Sequence, residues 1–217
     1  MMENNLISEE LMQKILHDRI IRSEITRQSH LMFFLVYFPH YVKYSIAEFH
    51  KDIFRITEDQ SNKLACIVAF RGSGKSTLIT FSYAIWSILG VQKKRFVLII
   101  CQTQAQAKQH MANLRYELET NRLLKGDLGP FQEESGEWGA HSLIFSNTNS
   151  RITIASIDQS IRGIRHHENR PDLIILDGLF YLTNLRIGLL RNTNFDRRYG
   201  LLISRDQVEL CMRNLSS

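Results

Sequence analysis

The stretch from Leu64 to Leu89 constrains the fold more than any other part of the sequence. LACIVAF, residues 64–70, is a continuous apolar run rich in β-branched and aromatic residues, the pattern of a strand covered on both faces in a parallel sheet. A short glycine-bearing loop follows. A helical stretch then runs from about Lys75 to Leu89, with Gly90 as its stop signal. Across the junction, Ala69-Phe70-Arg71-Gly72-Ser73-Gly74-Lys75-Ser76-Thr77 fits G-x-x-x-x-G-K-[ST], with alanine in place of the first glycine. Gly72 and Gly74 accept backbone angles that side chains resist, so successive N–H groups can face an anion, and the helix N-terminus adds its positive end. The same letters also read as a Gly-Ser-Gly turn before an ordinary helix. The strand before and the helix after favour a phosphate cradle formed by Arg71, Gly72, Ser73, Gly74, Lys75, Ser76 and Thr77. In such a cradle Lys75 reaches the β- and γ-phosphates of ATP, the Ser76 hydroxyl completes a Mg²⁺ shell, and Arg71 adds a cation near the γ-phosphate.

The rest of the chain repeats the strand–loop–helix order. RFVLII (95–100) reads as a second buried strand, followed by a helix from about Gln104 to Asn121. SLIF and RITIAS, meeting around Ser146–Ser150, read as an antiparallel hairpin, and DLIILD (172–177) as a third core strand. Repeated βα units imply an α/β fold with a mostly parallel central sheet. Upstream, residues 8–27 predict one helix, with Ser8 as its cap and Met12, Ile15 and Ile20 in its apolar stripe. An aromatic segment, SHLMFFLVYFPHY, is broken by Pro39, and Ser45 to Glu48 spells a capping box that would open another helix. Residues 125–140 read as loop. The expected organisation is an N-terminal helical segment over 1–60, a core over 61–186 and a tail over 187–217.

Composition sets the outer limits. A chain of 217 residues with 44% hydrophobic and 23% charged residues fits one globular domain and excludes a disordered tail, a fibre or a small disulfide scaffold. The net charge of +5 permits a polyanionic partner without requiring one. Cys66, Cys101 and Cys211 are scattered, which fits a reducing cytoplasm and spells no zinc site. The acidic, polar start is not a signal peptide, and the apolar run Leu31–Phe38 is too short to span a bilayer.

A phosphate loop needs an acid at the end of a neighbouring strand to hold Mg²⁺. Asp177 stands directly after the apolar run 173–176, 102 residues beyond Lys75. A helix cap or surface turn is the alternative reading of such an aspartate, and the metal-associated acid is the favoured one. Hydrolysis also requires a group to activate water, commonly a glutamate just beyond that acid. The continuation is Gly178-Leu179-Phe180, and no carboxylate follows until Asp196.

Taken in order, these pieces resemble the large terminase subunit of tailed bacteriophages, the motor that packages DNA into procapsids. The resemblance runs from about Phe33 to Arg186: FFLVYFPHY followed by Phe49-His50, then AFRGSGKST, VLIICQTQAQAKQHMANLRYELETN and SIRGIRHHENRPDLIILD. It implies a RecA-like P-loop ATPase core in which Lys75 and Ser76 meet nucleotide phosphates and Mg²⁺, Asp177 is the metal-associated acid, and Lys75, Arg71 and Asp177 serve catalysis. It implies double-stranded DNA, a portal and a small terminase subunit as partners, ring homo-oligomers and a cytoplasmic location in a bacterial host. The family usually reads D-D-[LI]-E where this sequence reads Asp177-Gly178-Leu179-Phe180, so weak turnover is expected. Its members also carry a C-terminal nuclease domain, for which the 31 residues after Arg186 are too few, and a truncated or decayed copy is the expectation. A superfamily 2 helicase-like lobe, a small-molecule kinase and a non-catalytic nucleotide-binding module stay open beside it.

Several smaller clusters carry weaker readings. Ser160 to His167 is a basic loop that suits nucleotide sensing, a DNA backbone or plain solvation, and His166-His167-Glu168 lacks the spacing of a metal site. Gln102, Gln104, Gln106, Lys108, His110 and Arg115 read as an ordinary wet helix face before a nucleic-acid edge. The aromatics from Phe33 to Tyr44 read as core before a base-stacking platform.

Overall fold

The computed structural model describes residues 9–61, 64–67, 69–131, 138–157, 170–177 and 200–204. A six-stranded sheet lies at the centre, in the order β1-β6-β5-β2-β4-β3. Its strands are β1 (Leu64–Ile67), β2 (Phe96–Cys101), β3 (Ser142–Phe145), β4 (Ser150–Ser156), β5 (Leu173–Asp177) and β6 (Gly200–Ser204). Every neighbouring pair is parallel except β3 with β4, the expected hairpin. All six residues of β2 are buried, as strands covered on both faces require. The expected tail over 187–217 contributes β6, which pairs with both β1 and β5. The sheet therefore extends past the boundary placed at 186.

The N-terminal helices are α1 (Glu9–His17), α2 (Arg19–Gln28), α3 (His30–Tyr37) and α4 (Glu48–Glu58), with a 3₁₀ turn at Pro39–Tyr41. The single helix expected over 8–27 is divided at Asp18, whose carboxylate accepts from the backbone N–H of Ile20 and Ile21 and so starts a new helix. Ser8 lies outside the described residues. The capping box expected from Ser45 does not form. α4 begins at Glu48, and its N-cap Ala47 offers no side-chain acceptor, but the Ala47 N–H donates to His50 Nδ1 at 3.2 Å. Only the reaching-back half of the box exists, supplied by a histidine.

Beyond the loop, the helix that starts at Lys75 is π-helical over Thr77–Tyr83 and continues as α5 (Ala84–Leu89). It is buried from Leu78 to Leu89 between the sheet and the N-terminal helices. Phe38 meets Phe81 edge-on at 4.9 Å, and Phe34 lies 5.8 Å from Phe54, so the aromatics from Phe33 to Phe38 are core as expected, whereas Tyr41 and Tyr44 are exposed. α6 (Gln104–Thr120) opens on a true capping box between Thr103 and Gln106. α7 (Arg122–Leu128) occupies part of the stretch expected to be loop, with Asn121 capping it through Leu124 N–H. Cys101 is a buried free thiol, whereas the side chain of Cys66 and all of Cys211 lie outside the described residues. No helix among the described residues is long and apolar enough to cross a membrane.

Candidate functional site

Parallel strands end on the same edge of a sheet, and in open α/β sheets ligands bind beyond that edge. Cys101 at the end of β2 is in register with Asp177 at the end of β5 and with Ser156 at the end of β4. β1 ends on the same edge, at Ile67, in register with Ser204 of β6. The glycine loop and the acidic strand end, 102 residues apart in sequence, therefore share one rim with β6 between their strands.

The loop turns at Ser73, whose N–H donates to Phe70 O at 3.2 Å. Gly72 and Gly74 have φ of +83° and +78°, a region in which an L side chain is strained. The helix starts at once, with Leu78 N–H donating to Gly74 O at 2.9 Å. Lys75 Nζ lies inside its own loop, donating to Ala69 O, to Phe70 O at 3.1 Å and to Ser73 Oγ at 3.3 Å. Ser73 is buried, Ser76 and Thr77 are half-buried, and Arg71 is exposed with no ion pair or hydrogen bond among the described residues.

Asp177 is the centre of a cluster. Ser76 Oγ donates to its Oδ1 at 3.2 Å and Thr80 Oγ1 to its Oδ2 at 2.7 Å, while His110 Nε2 stands 3.2 Å from Oδ2. Burial alone would push the Asp177 carboxyl up. The contact with His110 and the hydroxyls of Thr80 and Ser76 outweigh it and hold the group below the usual carboxylate range. Beneath it, burial and the Asp177 charge push the Cys101 thiol up to about 12, which makes it an inert core residue. A serine hydroxyl touching a carboxylate kept anionic is a hard oxygen pair, the donor chemistry that Mg²⁺ takes. Ser76 and Asp177 would hold such an ion, and the loop amides with Lys75 would hold phosphates. Among the described residues no group of three His, Cys, Asp or Glu side chains is arranged to bind a metal.

The loop is also braced from outside. His50 of α4 uses Nδ1 as an acceptor for Ala47 N–H, so its Nε2–H donates to Ser73 O at 2.9 Å. Phe49 meets Phe70 edge-on at 5.5 Å. One helix turn thus holds both the middle and the shoulder of the loop.

Of the residues singled out from sequence, Ser76 and Asp177 are in direct contact, Lys75 occupies the loop interior, and Arg71 stands apart from the cluster. His110, Thr80 and His50 were not identified as site residues. Thr80 follows Ser76 by one helical turn, and His110 sits in the Ala107, Met111, Leu114 stripe that α6 buries, so a polar residue on each inward face was the available signal. Residues 158–169, with the basic loop and His166-His167, and the positions Gly178 and Phe180 lie outside the described residues.

No protein-family model and no curated protein matches the sequence. Among solved structures, the HK97 bacteriophage large terminase has a similar fold, with a TM-score of 0.58 at 16% identity. The likeness covers 80% of this chain and 37% of that one, so this chain corresponds to little more than a third of the terminase. At that identity the shared property is the terminase-like α/β architecture.

Proposed function

We propose that this chain is a RecA-like P-loop domain that takes up Mg²⁺·ATP and serves as a terminase-like motor domain acting on double-stranded DNA. The observation that carries the reading is the contact of Ser76 with Asp177 at 3.2 Å, which joins a glycine loop to an acidic strand end on one sheet edge. The terminase fold of the HK97 protein supports the same reading. Lys75, the loop amides of 71–76 and Thr77 bind the phosphates, Ser76 and Asp177 hold Mg²⁺, and Arg71 is the exposed cation available to the γ-phosphate. The core comprises 61–186 together with β6, and portal, small terminase subunit and further copies of the chain are the partners that follow from the motor reading.

Phe180 stands where a water-activating glutamate is expected, which favours slow turnover and keeps a second reading, a nucleotide-binding module without hydrolysis, on the same site. Equilibrium binding of a fluorescent ATP analogue with Mg²⁺ tests the proposal. Lys75→Ala should weaken uptake by about tenfold or more, as loss of a charge-assisted phosphate contact does. Wild-type protein that takes up no Mg²⁺·nucleotide would remove the basis of both readings. Steady-state hydrolysis with and without double-stranded DNA then separates a slow motor from a silent module.

A further inference from the structure

We propose that His110 is a positioning residue for the metal site: from α6 it fixes the Asp177 carboxylate in the orientation that Ser76 and a divalent cation require. The inference rests on the nucleotide-site reading above and goes beyond it by adding a third element, α6, to the Mg²⁺ site.

The two oxygens of Asp177 are treated differently. Oδ2 receives Thr80 Oγ1 at 2.7 Å and faces His110 Nε2 at 3.2 Å, whereas Oδ1 has Ser76 Oγ at 3.2 Å as its one side-chain donor among the described residues. With the Thr80 hydroxyl and the His110 imidazole nitrogen both set against Oδ2, rotation about the carboxylate axis is resisted and Oδ1 stays aimed at Ser76. The Ser76 proton then points to Oδ1, and the serine lone pairs are left to face a cation. Groups that orient a metal-binding carboxylate without touching the metal commonly set its affinity.

His110 is carried by a helix that packs on β2 and β4. It follows Ala107 by one turn and precedes Met111 and Leu114 on the buried stripe of α6, and Thr103 fixes the start of that helix directly after Cys101, the register partner of Asp177. At 23% exposure its side chain sits at the mouth of the cluster, on a helix that also carries the exposed Lys108 and Gln109. A shift of α6 would therefore move His110 against Asp177.

The test is Mg²⁺ titration at fixed fluorescent ATP analogue, with nucleotide uptake also measured in EDTA and melting temperatures recorded for every variant. His110→Ala should raise the Mg²⁺ midpoint about tenfold, within the range known for outer-shell ligands, while metal-free nucleotide affinity stays within about twofold of wild type. His110→Gln, which keeps an N–H donor, should recover most of the loss. Thr80→Val, which removes the other donor on Oδ2, should shift the midpoint in the same direction and serves if His110→Ala does not fold. The inference falls if both variants keep the wild-type Mg²⁺ midpoint, or if metal-free affinity drops by the same factor as metal-dependent affinity. In either case the nucleotide site itself stands, since wild-type uptake and its loss in Lys75→Ala report on that separately.

Discussion

His30 sits in the core with no exposed surface, stacked 5.3 Å from Trp86 and edge-on to Phe54 at 4.9 Å. Its Nδ1 lies 2.7 Å from Thr57 Oγ1 and its Nε2 3.0 Å from Ser82 Oγ. The Thr57 hydroxyl proton is already given to Phe54 O at 2.9 Å, so its oxygen must accept, which assigns the neutral Nδ1–H tautomer. Burial pushes the imidazole down to about 3. Below about 6.5 the unfolded chain binds a proton that the folded chain refuses, so this contribution to stability is whole above that value and is lost as pH falls toward 3. From pH 7 to pH 5 the loss should be about 2 kcal/mol. Urea unfolding of wild type and His30→Gln at pH 7, 6 and 5 checks it: wild type should weaken more steeply than the variant, and parallel pH dependences would refute the assignment. A single sequence could not reveal this histidine, because its two partners come from helices 27 and 52 residues away.

Elements follow the same rule: what adjacent letters determine was legible, and what distant partners determine was not. The buried strands β2 and β5, the hairpin of β3 with β4, and the loop-to-helix step at Lys75 each depend on local pattern, and each forms where the pattern puts it. Asp18 shows the limit in one direction, since an apolar stripe suggested continuity while a local cap was strong enough to divide it. α7 shows the other. Its Lys125-Gly126-Asp127 reads as loop by composition, but Asp127 is anchored by a two-pronged ion pair with Arg22 of α2, Nε to Oδ2 at 2.6 Å and an η nitrogen to Oδ1 at 2.8 Å. Tyr37 of α3 donates to the same carboxylate at 3.1 Å. The Arg22 and Asp127 side chains are 9% and 2% exposed, so removing one charge strands the other in the core. Asp127→Ala should destabilise the protein by about 3–5 kcal/mol, and the paired change Arg22→Met with Asp127→Leu should restore much of that. Denaturant midpoints of the three proteins decide it, and a single variant as stable as wild type would show that the pair does not hold α2, α3 and α7 together.

At the scale of the whole molecule, the site depends on a strand that carries none of its chemistry. Lys75, Ser76 and Asp177 were legible because loop, helix start and strand end have local signatures. That Ser76 and Asp177 share one site was also expected; what was not legible is the strand between β1 and β5, which do not pair with each other: β6, from residues 200–204, lies between them. β1 has four residues and β6 as its one partner strand in the described sheet, and a strand without a neighbour leaves its ladder groups unpaired. Cutting the chain after Arg186 keeps every motif residue from 69 to 177 but removes β6 and unties β1, and with it the start of the glycine loop, from the sheet. Such a shortened protein should lose Mg²⁺-dependent nucleotide uptake and slow exchange of the β1 amides, while the β2, β4 and β5 amides stay protected. Hydrogen exchange read by strand, beside the fluorescent nucleotide titration, checks both halves. Full uptake by the shortened protein would mean that the N-terminal brace, with His50 on Ser73 and Phe49 on Phe70, suffices to hold the loop opposite Asp177.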